Sequence, residues 1–150
     1  TGIQLHQLDS MLYKNNGERV DQATYDKAHG NILASESWII DGFDLIESFN
    51  KRLEVADTLI YINLPYKVSY WLVTKRLLKG LFIKPEGWPD GSSILQGTLQ
   101  SYKVLKLCPK FWNDGFLKKL ETLAANKSLY VISSVSELNS FIANNVTAKL

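Results

Sequence analysis

Two acidic residues stand where apolar runs end, and either could hold a metal ion or orient a substrate. Asp41 follows Trp38-Ile39-Ile40 and precedes Gly42, and Asp9 follows the interleaved run at 3–8. Open parallel sheets bind ligands at the carboxyl ends of their strands, where an acid can hold Mg²⁺ beside a phosphate. Asp and Gly are also common turn residues, so a plain strand-to-helix turn is the alternative and, on this feature alone, the favoured one.

A cluster of basic residues precedes a segment rich in glycine and proline. Lys75, Arg76 and Lys79 lead into residues 80–97, and Lys84 lies within that segment. Irregular segments of this length inside a compact domain are usually lids, binding loops or disordered segments. Cations at the base of a lid would neutralise the charge on a transferring phosphoryl group while water is excluded. The alternative is a solvated helix face, which is usual for Lys and Arg runs.

Other chemistries have weaker support in the sequence. His6 and His29 lack the spacing of a zinc site, and Cys108 has no base beside it. Arg52 could bind an anion or pair with Glu54 at the surface. The phosphate-loop pattern Gly-x-x-x-x-Gly-Lys-Ser/Thr does not occur in the 150 residues, so the chain as given has no phosphate-cradling loop.

The elements that must position these residues alternate along the chain. The patterns predict four strands, at 3–8, 38–40, 58–64 and 129–133. They predict helices at 22–34, 45–53, 67–79, 98–107, 114–125 and from 136 onward, with Asp21, Asp44 and Ser136 as caps. Near-continuous apolar runs favour strands covered on both faces, as in a parallel sheet between helices. The chain is therefore predicted to be one α/β layered domain.

Composition limits the classes of partner. The chain is 45% hydrophobic and 21% charged, and 17 basic against 15 acidic residues give a net charge of only +2. Such a surplus does not by itself indicate a nucleic-acid or membrane footprint, so anion recognition must be local. One cysteine cannot form an internal disulfide, and no apolar run approaches the ~20 residues of a membrane span. We expect a cytoplasmic protein that binds no membrane, with nucleic acid a disfavoured partner.

Three stretches, taken in their order and spacing, resemble a known family. They are Leu-Asp-Ser-Met-Leu-Tyr at 8–13, Ser-Trp-Ile-Ile-Asp-Gly at 37–42, and Arg-Leu-Glu-Val-Ala-Asp-Thr-Leu-Ile-Tyr-Ile-Asn-Leu-Pro at 52–65. Together they resemble the adenylate-kinase-like P-loop kinases, in particular the small group labelled DNA topology modulation proteins. The resemblance covers most of the chain and is strongest over 8–76. It implies a three-layer α/β/α P-loop NTPase fold and transfer of a phosphoryl group from ATP, with Mg²⁺, to a small-molecule acceptor.

The resemblance also implies a segment that this sequence lacks. Members of the family begin with a strand, a phosphate loop ending in Lys-Ser/Thr, and a helix, and Thr1-Gly2 resembles the end of that helix. Their sheet has strand order 2-3-1-4-5, so the lacking strand would lie between those at 37–41 and 58–64. We therefore expect the chain to be a fragment of a longer protein, and a phosphate-loop lysine encoded ahead of Thr1 would favour the enzyme.

Roles for individual residues follow from the resemblance alone. Asp41 would lie near Mg²⁺ at a Walker-B-like strand end, as metal ligand and catalytic residue, and Asp9 would face the acceptor substrate. Arg52 and Arg76 would contact phosphates, the second as a catalytic and cofactor-binding residue at the base of a lid over 80–97.

The resemblance also implies a site for the base of the nucleotide, and it leaves a non-catalytic function open. Ser133, Ser134 and Val135 would lie near the base of the nucleotide. A non-catalytic nucleotide-binding or regulatory protein that retains the kinase fold is the alternative, and the absence of a phosphate-loop lysine ahead of Thr1 would favour it. Direct DNA binding fits poorly with a net charge of +2. Neither the acceptor nor the oligomeric state is predicted.

Overall fold

The computed structural model describes residues 2–13, 18–43, 45–80, 83 and 93–146. The chain divides into two compact units. The first contains the described residues up to Ala56, and the second contains those from Asp57 onward. Each unit is described by itself.

The first unit is a pair of parallel strands with three helices. Its elements are β1 (Leu5–Gln7), α1 (Leu8–Leu12), α2 (Gln22–Leu33), β2 (Ile39–Asp41) and α3 (Ile46–Val55). The register runs from Leu5 opposite Ile39 to Gln7 opposite Asp41, so both strands end at the same edge of the sheet.

The core of the first unit lies under the two helices that follow β1. Leu8, Leu12 and Tyr25 are buried against one another. The carboxylate of Asp21 accepts a hydrogen bond from the Thr24 backbone N–H at 2.9 Å, which confirms Asp21 as the cap of α2. α3 begins at Ile46, and Asp44, which the sequence predicted as its cap, lies outside the described residues.

The second unit has the same parallel pairing and more helix. Its elements are β3 (Thr58–Ile62), α4 (Tyr66–Gly80), α5 (Ile94–Leu107), α6 (Asp114–Leu123), β4 (Ser128–Ile132) and α7 (Val135–Val146), with short 3₁₀ turns at Cys108–Lys110 and Ala124–Asn126. β3 pairs with β4 in parallel, from Thr58 opposite Ser128 to Ile62 opposite Ile132. The chain is therefore a mixed α/β protein with two small parallel sheets, as the alternation predicted at the level of fold class.

Two helix starts differ from the sequence-based prediction. α5 begins at Ile94, four residues earlier than predicted, because the Ser93 hydroxyl accepts from the Gln96 backbone N–H and caps the helix. α7 begins at Val135, with Ser134 in place of Ser136 as its capping residue. Residues 94–97 of the predicted lid are thus helical, and its central part at 84–92 lies outside the described residues.

The predicted covering of both strand faces is not seen for β3 within the described residues. Leu59 is buried, but Ile60 and Ile62 are about half exposed. In a strand, successive side chains point to opposite faces, so alternate burial means that one face is packed and the other is open. β2 is likewise more open than predicted, since Ile39 is exposed.

Within the described ranges, no helix combines the length and apolar character needed to cross a bilayer.

Candidate functional site

The two strand-end acids lie at one edge of the first sheet. Asp41 is the last residue of β2 and is paired with Gln7, the last residue of β1. Asp9 follows two positions later, in the first turn of α1. Both acids are exposed, so the structure presents two carboxylates to solvent at the carboxyl edge of the β1–β2 sheet.

The turn after β2 requires the residue type at Gly42 but does not require the residue type at Asp41. Gly42 has a φ of +114°, a backbone conformation that side-chain-bearing residues rarely adopt. The turn therefore requires glycine at this position. It places no such demand on Asp41, which is a strand residue of a type that strands generally disfavour. The plain-turn alternative accounts for Gly42 fully, and for Asp41 only through the general frequency of Asp next to turns.

Arg52 lies in the first unit and away from the surface. It is in the last turn of α3, where a cation complements the helix dipole, and only 6% of its surface is exposed. Its guanidinium carbon is 5.5 Å from the centroid of the Phe49 ring, within the range of a cation–π contact. Arg52 is therefore not the exposed surface residue that the pairing with Glu54 assumed. Its contact with a phosphate stays a prediction.

Arg76 lies in the second unit, on the part of α4 that leads toward the predicted lid. Its Nη2 donates a hydrogen bond to the Ser101 hydroxyl at 2.9 Å, and Ser101 donates to the Gly97 carbonyl at 3.0 Å. Beside this pair, the hydroxyl oxygens of Thr74 and Tyr102 are 2.6 Å apart. Arg76 is thus held against α5. No sequence motif marks Ser101 as its partner, because the contact joins residues 25 positions apart.

The residues predicted near the nucleotide base form the start of α7. The Ser134 hydroxyl accepts from the Glu137 backbone N–H at 3.1 Å, and the Glu137 carboxylate accepts from the Ser133 backbone N–H at 2.7 Å. The arrangement resembles a capping box, for which Ser-x-x-Glu is the sequence signal, except that Glu137 accepts from the residue before the cap instead of from the cap itself. Val135 is exposed in the first turn. These residues therefore have a structural role that the sequence analysis missed.

Cys108 lies among aromatic side chains of the second unit. The Tyr66 hydroxyl donates to the Trp112 carbonyl at 3.0 Å, and the Trp112 backbone N–H donates to the Cys108 carbonyl at 2.8 Å. Burial raises the pKa of the Cys108 thiol above its usual value, although hydrogen bonds oppose the rise. Burial also raises the pKa values of Tyr61 and Tyr66, with the neighbouring thiol adding to the effect. A thiol with a raised pKa is a poor nucleophile at neutral pH.

The acids at the first sheet suit one kind of metal site. Mg²⁺ takes oxygen ligands and is commonly bound through one or two carboxylates together with substrate phosphates. Asp41 supplies such a carboxylate, and Asp9 supplies a second near the same edge. Within the described ranges no three His, Cys, Asp or Glu residues gather into a ligand cluster. The donor set therefore fits a cation shared with a phosphate better than a metal site complete in itself.

Comparison with known proteins returns no relative. No protein-family model matches the chain, and no curated protein or solved structure matches it.

Proposed function

We propose that this protein is an ATP–Mg²⁺-dependent phosphotransferase of the nucleoside or nucleotide kinase type, acting on a small-molecule acceptor in the cytoplasm, and that its strands belong to a three-layer P-loop kinase sheet. Support comes from which strands pair. The order 2-3-1-4-5 requires the family's second strand beside its third, and its fourth beside its fifth. β1 pairs with β2 and β3 pairs with β4, both in parallel, which is the pairing that this order requires.

The position of Asp41 carries the functional part of the proposal. Its carboxylate is exposed at the last paired position of β2, next to a glycine that the turn requires. In the proposed role this carboxylate holds Mg²⁺ directly or through water, and Asp9 orients the acceptor from the same edge. Mg²⁺, when bound, would neutralise the charge on the phosphate oxygens.

Arg76 has a separate role in the second unit. A guanidinium carries a permanent positive charge and several N–H donors, so it can contact a phosphate while one N–H is engaged elsewhere. Its hydrogen bond to Ser101 fixes the direction of the side chain before a ligand arrives. Such prior orientation is what stabilisation of a developing charge requires. Arg52 and residues 133–135 are retained in the proposal as phosphate and base contacts, respectively.

A second candidate function is favoured because the groups proposed to contact the nucleotide already form hydrogen bonds within the protein. Arg76 bonds to Ser101, and the Ser133 N–H bonds to Glu137. Both contacts would exist in a protein that keeps the fold for stability alone. The second candidate is therefore a non-catalytic nucleotide-binding or regulatory protein.

The test is substitution of Asp41 in the protein as its gene encodes it. Asp41→Asn removes the charge at an exposed position, so we expect the melting temperature to stay unchanged. Mg²⁺-dependent phosphoryl transfer from ATP should fall by roughly 100-fold or more, because the cation loses its ligand. Turnover is measured with a panel of nucleosides and nucleoside monophosphates, and stability is measured by calorimetry.

Glu36→Gln is the matched control, since Glu36 is another exposed acid of the first unit and lies outside the sheet edge. It should leave both quantities unchanged. A lower melting temperature in Asp41→Asn with normal turnover would favour the plain-turn interpretation. Binding of ATP without turnover on any acceptor would favour the regulatory protein.

A further inference from the structure

The helices α4 and α5, with the turn that follows them, form a strongly basic part of the second unit. Seven basic residues and no acidic residue occur within Tyr66–Gly80 and Ile94–Lys110. They are Lys67, Lys75, Arg76, Lys79, Lys103, Lys106 and Lys110. We call this region the basic helix pair. The net charge of +2 conceals it, because the acidic residues lie elsewhere in the chain.

The two helices pack through polar and aromatic side chains. The rings of Tyr70 and Tyr102 are stacked with their centroids 5.8 Å apart, and Thr74 lies 2.6 Å from the Tyr102 hydroxyl. These contacts define the side of each helix that faces the other. The remaining sides are open to solvent or contact other elements of the unit.

The open side of α4 carries large apolar residues among its lysines. Trp71 is 60% exposed and Leu78 is 53% exposed, and Lys75 is exposed between them. Residues three and four apart lie on the same side of a helix, so these three form one stripe. A solvated helix face would carry charges of both signs in place of tryptophan and leucine.

α5 repeats the arrangement. Leu95 and Leu99 are 57% and 52% exposed, and Lys103 and Lys106 continue their side of the helix. Leu107 at the end of the helix is also about half exposed. Both helices thus combine exposed apolar side chains with positive charge, and neither helix contains an acidic residue of its own.

We propose that the basic helix pair docks on an anionic lipid surface. Lysine with leucine and tryptophan is the composition of helices that lie in the headgroup region of a membrane. A nucleic acid would complement the charge and could stack on Trp71, but it would leave the exposed leucines Leu78, Leu95 and Leu99 without an apolar partner. The association is peripheral and needs no membrane-spanning segment, whereas the expectation of no membrane binding was drawn from the net charge of +2 and from the lack of a long apolar run.

The test is co-sedimentation of the whole protein with vesicles of phosphatidylserine and phosphatidylcholine in a one-to-two ratio, compared with phosphatidylcholine alone. The wild type should bind the anionic vesicles, and added salt should weaken binding. Lys103→Gln/Lys106→Gln should bind about 30-fold more weakly, since each lysine near such a surface contributes about 1 kcal/mol. Leu95→Ser/Leu99→Ser should bind at least about tenfold more weakly, because the inserted apolar area is lost.

Lys51→Gln/Lys118→Gln is the matched control, because it removes two exposed lysines outside the basic helix pair. It should bind as the wild type does, and all variants should keep the wild-type melting temperature. Insertion should also shift the fluorescence of Trp71 to shorter wavelength, measured as the difference between wild type and Trp71→Phe. Absence of binding to anionic vesicles at low salt would overturn the proposal. So would binding that ignores the two leucines, or tighter binding to a single-stranded oligonucleotide than to vesicles.

Discussion

Gly42 lies directly against Leu8, so that a Cβ placed on Gly42 would come within 3.2 Å of the Leu8 Cβ. Leu8 is fully buried in the core of the first unit. The turn that follows Asp41 is therefore fixed twice, by its backbone conformation and by this close approach. The orientation of the strand-end acid depends on both.

Substitution of Gly42 should destabilise the first unit. Gly42→Ala forces alanine into a positive-φ conformation and crowds a buried leucine, so we expect a loss of about 1–3 kcal/mol in the free energy of unfolding. Gly30→Ala is the control, since Gly30 lies within α2 and a Cβ there meets nothing within 4 Å. It should stabilise the protein by about 0.5–1 kcal/mol. Equal melting temperatures for the two variants would contradict the assigned turn geometry.

The start of α7 offers a test between two serines. Ser134→Ala should cost about 1 kcal/mol because it removes the side chain that caps the helix. Ser136→Ala should change stability by less than about 0.5 kcal/mol, since Ser136 is exposed inside the helix. Chemical denaturation of both variants and of Glu137→Ala would decide. A larger loss of unfolding free energy for Ser136→Ala than for Ser134→Ala would show that Ser136 caps α7, as the sequence predicted.

The Arg76–Ser101 hydrogen bond predicts a graded effect on the proposed activity. Arg76→Ala should depress phosphoryl transfer strongly, and Ser101→Ala should depress it about tenfold because the guanidinium loses its orientation. Thr122→Ala is the control, since Thr122, like Ser101, donates to a carbonyl four residues earlier in a helix. It should leave turnover normal. If Ser101→Ala and Thr122→Ala behaved alike, the orienting role would be withdrawn.

Stability should fall at alkaline pH through Cys108 and its tyrosine neighbours. Burial raises the pKa of the thiol above 9.0 and the pKa values of Tyr61 and Tyr66 above 10.0. Between the unfolded and folded pKa values the folded state holds more protons, so the free energy of unfolding decreases as pH rises. The contribution is complete below about pH 9 and is lost above it.

Cys108→Ala should flatten this decline. The measurement is the slope of unfolding free energy between about pH 8 and pH 11, compared with wild type. Because slopes are compared, any cost of removing the thiol at neutral pH does not affect the result. Alkylation of the wild-type thiol should also have its midpoint above pH 9. Equal slopes for wild type and Cys108→Ala, or an alkylation midpoint at or below pH 9, would show that the raised pKa of Cys108 does not cause the alkaline loss of stability.

Features that depend on neighbouring residues could be predicted from the sequence, whereas features that depend on contacts between distant residues could not. Asp21 was recognisable as a cap because its hydrogen bond reaches only Thr24. Ser134 and not Ser136 caps α7, and the sequence carries a signal for this choice because Glu137 stands three positions after Ser134. The Arg76–Ser101 bond and the burial of Arg52 depend on how separate helices pack, which no local pattern encodes. The exposed face of β3 was missed because an apolar run looks the same whether one face or both are covered.

The pairing of β3 with β4 also has a consequence for synthesis of the protein. Thr58 is translated well before Ser128, its partner seventy positions later. At about 5–20 residues per second, β3 has emerged roughly 4–14 s before its partner exists. During that interval the apolar strand Leu59-Ile60-Tyr61-Ile62 lacks its partner β4, and exposed apolar strands of this kind are prone to aggregate. The order of the strands along the chain thus delays completion of the second sheet until β4 has been synthesised, whatever the stability of the finished fold.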